Sequence, residues 1–171
     1  MTGGRMRLIK VEKAVVNIGV GEAGEKLLKA KKVLELVTGV KAVETVSKTT
    51  NKDLGIRKKQ PIGCKVTLRG DRAEEFLKRA LWVKNNKVAS YSFDSEGNFS
   101  FGISDYTDFE GMKYDPEIGI FGMDISVTLT RPGKRVARRR RAPGTIPKGH
   151  RISRTEGAVY VQNKFGVEVV E

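Results

Sequence analysis

The sequence predicts an α+β fold: a mainly antiparallel sheet with helices packed on one side, plus a basic C-terminal extension and a terminal helix. Three observations carry this. Runs such as 62–69 and 122–130 alternate apolar and polar residues with the period of two of a half-buried strand, whereas 22–38 and 71–81 space their apolar residues three and four apart. These runs follow one another as strand, helix, strand, strand, helix, hairpin and strand, an order that segregates helices from a sheet. From Arg131 the composition changes to nine basic residues with no acid as far as 151, broken by Pro132, Pro143 and Pro147. The 171 residues amount to about one domain, so 1–171 is read as a single unit with 131–151 as its extension.

Residues 8–20 read as a strand that ends in glycines, and 22–38 as a helix with Leu27, Ala30, Leu34 and Val37 on one face and Gly39 at its C-cap. The junction spells Gly19-Val20-Gly21-Glu22-Ala23-Gly24, a formal match to the dinucleotide-binding glycine pattern. Glu22 and Glu25 put negative charge where a pyrophosphate would sit, and too few crossovers follow to build a doubly wound sheet. Small residues here also let a backbone approach RNA closely, with the Asn17 amide beside it.

Next come a strand ending near Val46 and a loop from Lys48 to Gln60, in which Lys48, Lys52, Arg57, Lys58 and Lys59 face a single acid, Asp53. The strand from Ile62 to Arg69 sets Ile62, Cys64, Val66 and Leu68 on one face and Lys65, Thr67 and Arg69 on the other. A solvated face would account for the cations of the strand alone; continued from a basic loop, they read as a surface for phosphates. Asp71 is placed as the cap of the next helix, with Glu74 completing a capping box and Phe76, Leu77, Ala80 and Leu81 as its apolar face.

Residues 88–103 read as a hairpin turning at Glu96-Gly97-Asn98, with Phe99, Phe101 and Ile103 as core rather than as base-stacking groups. In 105–118 the sign of charge reverses: Asp105, Asp108, Glu110, Asp115 and Glu117 stand against Lys113. Such a loop faces water or a basic protein, and Phe109, Met112 and Tyr114 would give it something apolar to bury there. Residues 122–130 read as a long strand. Ser153 then caps a last helix with Glu156 three residues on, carrying Ala158, Val161 and Phe165, and Gly166 ends it before a short VEVV tail.

Lys and Arg number 33 against 20 Asp and Glu, a net charge of +13 that points to a polyanionic partner. No stretch approaches the roughly 18 apolar residues of a membrane span, and the N-terminus lacks the apolar core of a signal peptide, so no membrane partner is expected. With one cysteine, Cys64, and one histidine, His150, neither an internal disulfide nor a Cys/His zinc site can form. Cys64 reads as a small core residue and His150 as a surface one. No cofactor and no catalytic residue are expected. The acid-free run from 131 to 151 repels itself and would become ordered by threading between phosphates.

The stretches VVNIGVGEAGEKLLKA (15–30), GIRKKQPIGCKVTLRGDRAEEFL (55–77), NFSFGISDYTDFEGMKYDPEIGIFGMDISVTLTRPG (98–133) and GHRIS (149–153) closely resemble the family of large-subunit ribosomal protein five. The basic extension and the helix after Ser153 resemble its archaeal and eukaryotic branch. The resemblance implies a cytoplasmic, non-catalytic constituent of the large ribosomal subunit that holds 5S ribosomal RNA in the central protuberance beside other 5S-binding proteins. It also implies contact with transfer RNA in the peptidyl site and with a basic protein of the small-subunit head, and no homo-oligomer. Residue by residue, Asn17, Gly19, Val20, Gly21, Thr45, Ser47, Lys48 and Thr49 match the 5S surface, and Gly55, Ile56, Arg57, Lys58, Lys59 and Gln60 the loop facing transfer RNA. Asp105, Asp108, Tyr114, Asp115 and Glu117 match the bridge. Lys65, Arg69, Arg138, Arg139, Arg140, Arg141, Lys148 and Arg151 are expected to meet other ribosomal RNA. The rivals are a nucleotide-dependent enzyme using Gly19 to Gly24 and a free RNA chaperone.

Overall fold

Alternation along VEKAVVNIG places Ala14, Val16 and Ile18 on one side of the first strand, and all three are buried. A computed structural model describes residues 4–170. Its elements are β1 (Lys10–Gly19), α1 (Glu25–Thr38), β2 (Val43–Val46), β3 (Pro61–Leu68), α2 (Asp71–Val83), β4 (Lys87–Ala89), β5 (Phe99–Ile103), β6 (Met123–Thr130), α3 (Arg154–Phe165) and β7 (Glu168–Val170). Five strands form one sheet in the order β2-β3-β1-β6-β5, each pair antiparallel. β1, α1 and β2 make a split β-α-β unit whose gap is filled by β3. The adjacent parallel strands that a dinucleotide crevice needs are therefore absent from this sheet.

One face of this sheet is the core. Val16 stands opposite Val66 of β3 and Ile125 of β6, and Ile18 opposite Cys64. Onto this face pack Leu27, Ala30, Val33, Leu34 and Val37 of α1 and Ala73, Phe76, Leu77, Ala80 and Leu81 of α2. Each large apolar side chain fully buried there contributes about 1.5–3 kcal/mol. Burial pushes the Cys64 thiol up to about 11, so it stays protonated and inert. Gly39, in the left-handed conformation, closes α1 by donating to the Glu35 carbonyl, and Arg79 of α2 donates to the Val37 carbonyl.

Several expectations are corrected. Asp71 does not cap α2: Gly70 holds the N-cap at φ 60, and no side chain bonds there. α1 begins at Glu25 rather than 22, with Gly24 at its N-cap. The hairpin expected over 88–103 reduces to a single bridge between Phe93 and Phe99. Its first run pairs instead, in parallel, with β7, which forms in the VEVV tail: Lys87, Val88 and Ala89 stand beside Glu168, Val169 and Val170. Phe109 is not free for a partner, since it is buried and its ring stacks on Phe76 at 5.9 Å.

The capping box at α3 forms as expected, with Ser153 accepting from the Glu156 N–H and Glu156 from the Ser153 N–H. α3 is seated by a backbone contact. A Cβ on Gly157 would lie 2.6 Å from the Gly97 carbonyl oxygen, and one on Gly97 would lie 2.9 Å from the Ser153 carbonyl oxygen, so only glycines permit this approach.

Candidate nucleic-acid interface

The second face of the sheet carries no helix from α1 or α2, and the strand register determines what it presents. Lys65 of β3 stands between Val43 of β2 and Asn17 of β1, and Asn17 stands beside Asp124 of β6. The next row toward the strand ends is Thr45, Gly63 and Gly19. Gly63 is required in that row, because a Cβ there would lie 2.7 Å from the Ile18 carbonyl oxygen and 3.0 Å from the Thr45 hydroxyl. Thr67, Val15 and Ser126 form the row on the other side of Lys65. The face is thus a polar surface with Lys65 and Asn17 at its centre, able to offer one cation, one amide and several hydroxyls to a phosphodiester backbone, with the Asp124 carboxylate at the β6 side repelling it.

Past Gly19 the chain turns along β3, where the Val20 and Gly21 N–H groups both donate to the Ile62 carbonyl, at 3.0 and 2.8 Å. These amides are therefore already engaged, and the expected contacts from Val20 and Gly21 are left to their carbonyls and the Val20 side chain. Glu22 and Glu25 pair with Lys26 and Lys29 on α1, keeping carboxylates at the helix start.

The basic loop prolongs β2 and β3 as a narrow hairpin. Ser47 and Gln60 join by one backbone bond, Lys59 donates back to Ser47, and Asn51 and Ile56 exchange two bonds at 2.8 and 2.9 Å. The Asn51 side chain accepts from the Asp53 and Leu54 N–H groups, which holds the tip. Ser47 is buried and its hydroxyl donates to the Thr49 carbonyl at 2.6 Å, so its place is inside the loop, holding Lys48 and Thr49 outward. Gln60 accepts from the Arg57 N–H and fixes Arg57 in the same way. Lys48, Lys52, Arg57, Lys58 and Lys59 are all exposed.

Glu12 carries no signal in the sequence. It lies at the β-bulge where the β1–β6 register shifts between Val11 and Lys13. Its side chain is only 13% exposed and ion-pairs with Arg69, at 4.0 Å, and with Arg138. A bulge leaves no periodic trace that would reveal it. Asp124 is legible, because alternation in MDISVTLT places it opposite the core residues.

The basic extension has a defined path. Arg131 is buried, and turns over Lys134–Ala137 and Lys148–His150 carry the chain back toward α3. The expectation that the whole run is held by phosphates alone is corrected: Arg131 and Arg138 pair with carboxylates of the protein, and Arg139 and Arg151 donate to the Ala142 and Ile146 carbonyls. His150 Nε2 lies 2.9 Å from the Pro132 carbonyl oxygen and closes the bend. Arg139, Arg140, Arg141, Lys148 and Arg151 stay exposed.

The acidic loop is pinned by Tyr106 and Phe109, both buried, and the Asp115 N–H donates to the Tyr106 hydroxyl at 3.3 Å. Asp105 caps the first turn by accepting from the Thr107 N–H. Asp108, Glu110, Glu117 and Tyr114 face solvent, and among the described residues none of the loop's carboxylates pairs with a cation. Among the described residues no three His, Cys, Asp or Glu side chains come together as a metal site, and no helix is long and apolar enough to cross a membrane.

Residues 5–57 match the family described as Ribosomal protein L5, and residues 61–155 match the model of that ribosomal family's C-terminus. The chain is 53% identical over 167 residues to a protein of Sulfurisphaera tokodaii named large ribosomal subunit protein uL5, covering 97% of this chain and 94% of that one. A protein of the same name from Picrophilus torridus is 54% identical over 170 residues, with 99% and 97% covered. Another from Thermoplasma volcanium is 53% identical, with 97% and 98% covered.

Proposed function

The chain belongs to the ribosomal protein L5 family, whose members are constituents of the large ribosomal subunit and not enzymes, and from that premise we propose that its uncovered sheet face holds 5S ribosomal RNA. The observation that carries this reading is the register that sets Lys65 beside Asn17 on a face left free by α1 and α2, which moves Lys65 from the residues expected to meet other ribosomal RNA to the 5S surface. A charged group and an amide side by side can grip a phosphate and a ribose in one register, the kind of contact that positions RNA without reading its bases. Thr45, Lys48 and Thr49 extend the surface along β2 into the loop. Gly19, Val20 and Gly21 let the RNA backbone come close to the strand end.

The remaining surfaces divide by charge. The arm of the hairpin that returns from its tip, Gly55 to Gln60, carries exposed cations beyond the sheet, which suits an extended reach to transfer RNA in the peptidyl site. The acidic loop, with exposed Asp108, Glu117 and Tyr114, suits a basic protein of the small-subunit head. Arg139, Arg140, Arg141, Lys148 and Arg151 suit further ribosomal RNA. Together these surfaces suit a position in the central protuberance of the cytoplasmic ribosome, beside other 5S-binding proteins.

The test is a mobility-shift titration of 5S RNA with the full chain across salt concentration. Each phosphate contact should contribute a log–log slope of roughly −0.7 to −0.9. A flat salt dependence, or binding no tighter than to an unrelated RNA of equal length, would overturn the reading.

A further inference from the structure

The extension folds back beside the end of β6 and encloses a cavity of about 530 Å³, within the range of small-ligand sites. It lies apart from the sheet face described above. Its walls mix two kinds of surface. Leu129, Ala137, Ile146 and Ile152 supply apolar area, while Lys134 and Arg151 supply positive charge. The one acid lining it is Glu96.

The cations are not spent on the protein's own carboxylates. Among the described residues neither Lys134 nor Arg151 enters an ion pair, and the one side-chain bond of Arg151 runs from Nε to the Ile146 carbonyl. Behind them Arg131, also lining the cavity and 9% exposed, is itself paired with Glu156 through Nη2, and only its Nε is buried without a partner. A concave site holding unpaired cations beside apolar side chains suits a ligand with one anionic group attached to a flat, weakly polar body. Glu96, Thr130 and Thr145 add acceptors and donors suited to the edge of a heterocycle.

We infer that this cavity receives one nucleoside monophosphate unit, its base against Leu129, Ile146 and Ile152 and its phosphate beside Lys134 and Arg151. The unit can come from an unpaired residue of bound RNA turned out of its stack, or from a free mononucleotide. The first source rests on the RNA-binding reading above; the second does not.

The experiment titrates the full chain with AMP, GMP, CMP and UMP in turn, and with inorganic phosphate, following backbone amides by NMR. At least one mononucleotide should saturably shift the amides of Lys134, Ala137, Gly144, Ile146 and Arg151, with phosphate alone about tenfold weaker or more. Lys134→Ala removes a surface charge without touching the core, and Ala137→Trp fills the space; each should weaken the mononucleotide about tenfold. Addition of 5S RNA and of large-subunit ribosomal RNA in turn then separates the sources, since displacement of the nucleotide by either identifies an RNA residue as occupant and co-binding with both a free nucleotide. The inference is overturned if no mononucleotide shifts these amides, or if both variants bind it as the parent does. Lys65→Ala keeps the two readings apart: it should weaken RNA and leave the mononucleotide titration unaltered. RNA binding unaffected by Lys65→Ala would count against the sheet face alone.

Discussion

Arg131 donates from Nη2 to a carboxylate oxygen of Glu156 at 2.8 Å, joining the end of β6 to the first turn of α3 across 25 residues of chain. Its Nη1 reaches the carbonyls of His150 and Arg151 at 3.4 and 3.2 Å. The first cation of the basic extension is therefore an internal fastener, and the route of the rest follows from it.

Stability should depend on this pair through acid pH. The Ser153 backbone N–H, helped by the Arg131 guanidinium and opposed by partial burial, holds the Glu156 carboxyl below its ordinary value of 4.5. A group lowered on folding contributes stability above its unfolded value, and that contribution disappears as pH falls through the folded one. Glu156→Gln should cost about 1 kcal/mol or less at neutral pH, since solvent screens the half-exposed carboxylate, and the difference from the parent should shrink below pH 4.5. Urea unfolding across that range measures it; a constant difference between the two proteins would refute it.

On the sheet face, charge and hydrogen bonding should separate. Lys65→Ala should lower the salt slope of 5S binding by about one contact's worth, roughly 0.7 to 0.9. Replacing Asn17 and Thr49 together by Ala should reduce affinity by about 1–3 kcal/mol with the slope nearly unaltered. Identical slope changes for both variants would mean that the amide and hydroxyl play no positioning part.

The arginine run should divide at Arg138. Arg140→Ser with Arg141→Ser removes exposed, unpaired cations and should leave thermal stability unchanged while weakening incorporation into large subunits. Arg138→Ser also takes away one of the two partners of Glu12 and should lower the melting temperature. Equal melting temperatures for the two variants would show that the Glu12 pair contributes nothing to holding the segment.

Changing Asp105, Asp108, Asp115 and Glu117 to their amides makes the protein more positive without touching the sheet. Binding to 5S RNA should be unchanged or slightly tighter, and joining of the two ribosomal subunits weaker, as read by sedimentation. Loss of 5S binding with normal joining would reverse the proposed orientation.

What can be read from the chain is local. The alternation of Cys64, Val66 and Leu68 with Lys65 and Thr67 identifies both faces of β3, and Ser153 with Glu156 announces α3, because each pattern lies within a few residues. What cannot be read depends on distant partners. β4 pairs with β7 instead of closing a hairpin, and nothing near Lys87 encodes Glu168. Nor does the run of nine cations after β6 reveal that Arg131 points inward. Asp71 meets the composition of a cap, yet Gly70, free to adopt φ 60, takes the position.

The bulge on β1 has a consequence for competition. The Glu12 carboxylate, set between Arg69 and Arg138, stands where a phosphate oxygen would otherwise stand. Any nucleic acid that engages those guanidinium groups must share them with, or displace, an anion the protein already carries. Docking at this corner is thus an exchange of one anion for another. A stray polyanion offering only charge gains little from the exchange, whereas an RNA held elsewhere on the molecule supplies its phosphate at high local concentration. A nucleic acid docking at this corner would therefore need more than charge, in a protein whose net charge of +13 alone would attract every polyanion.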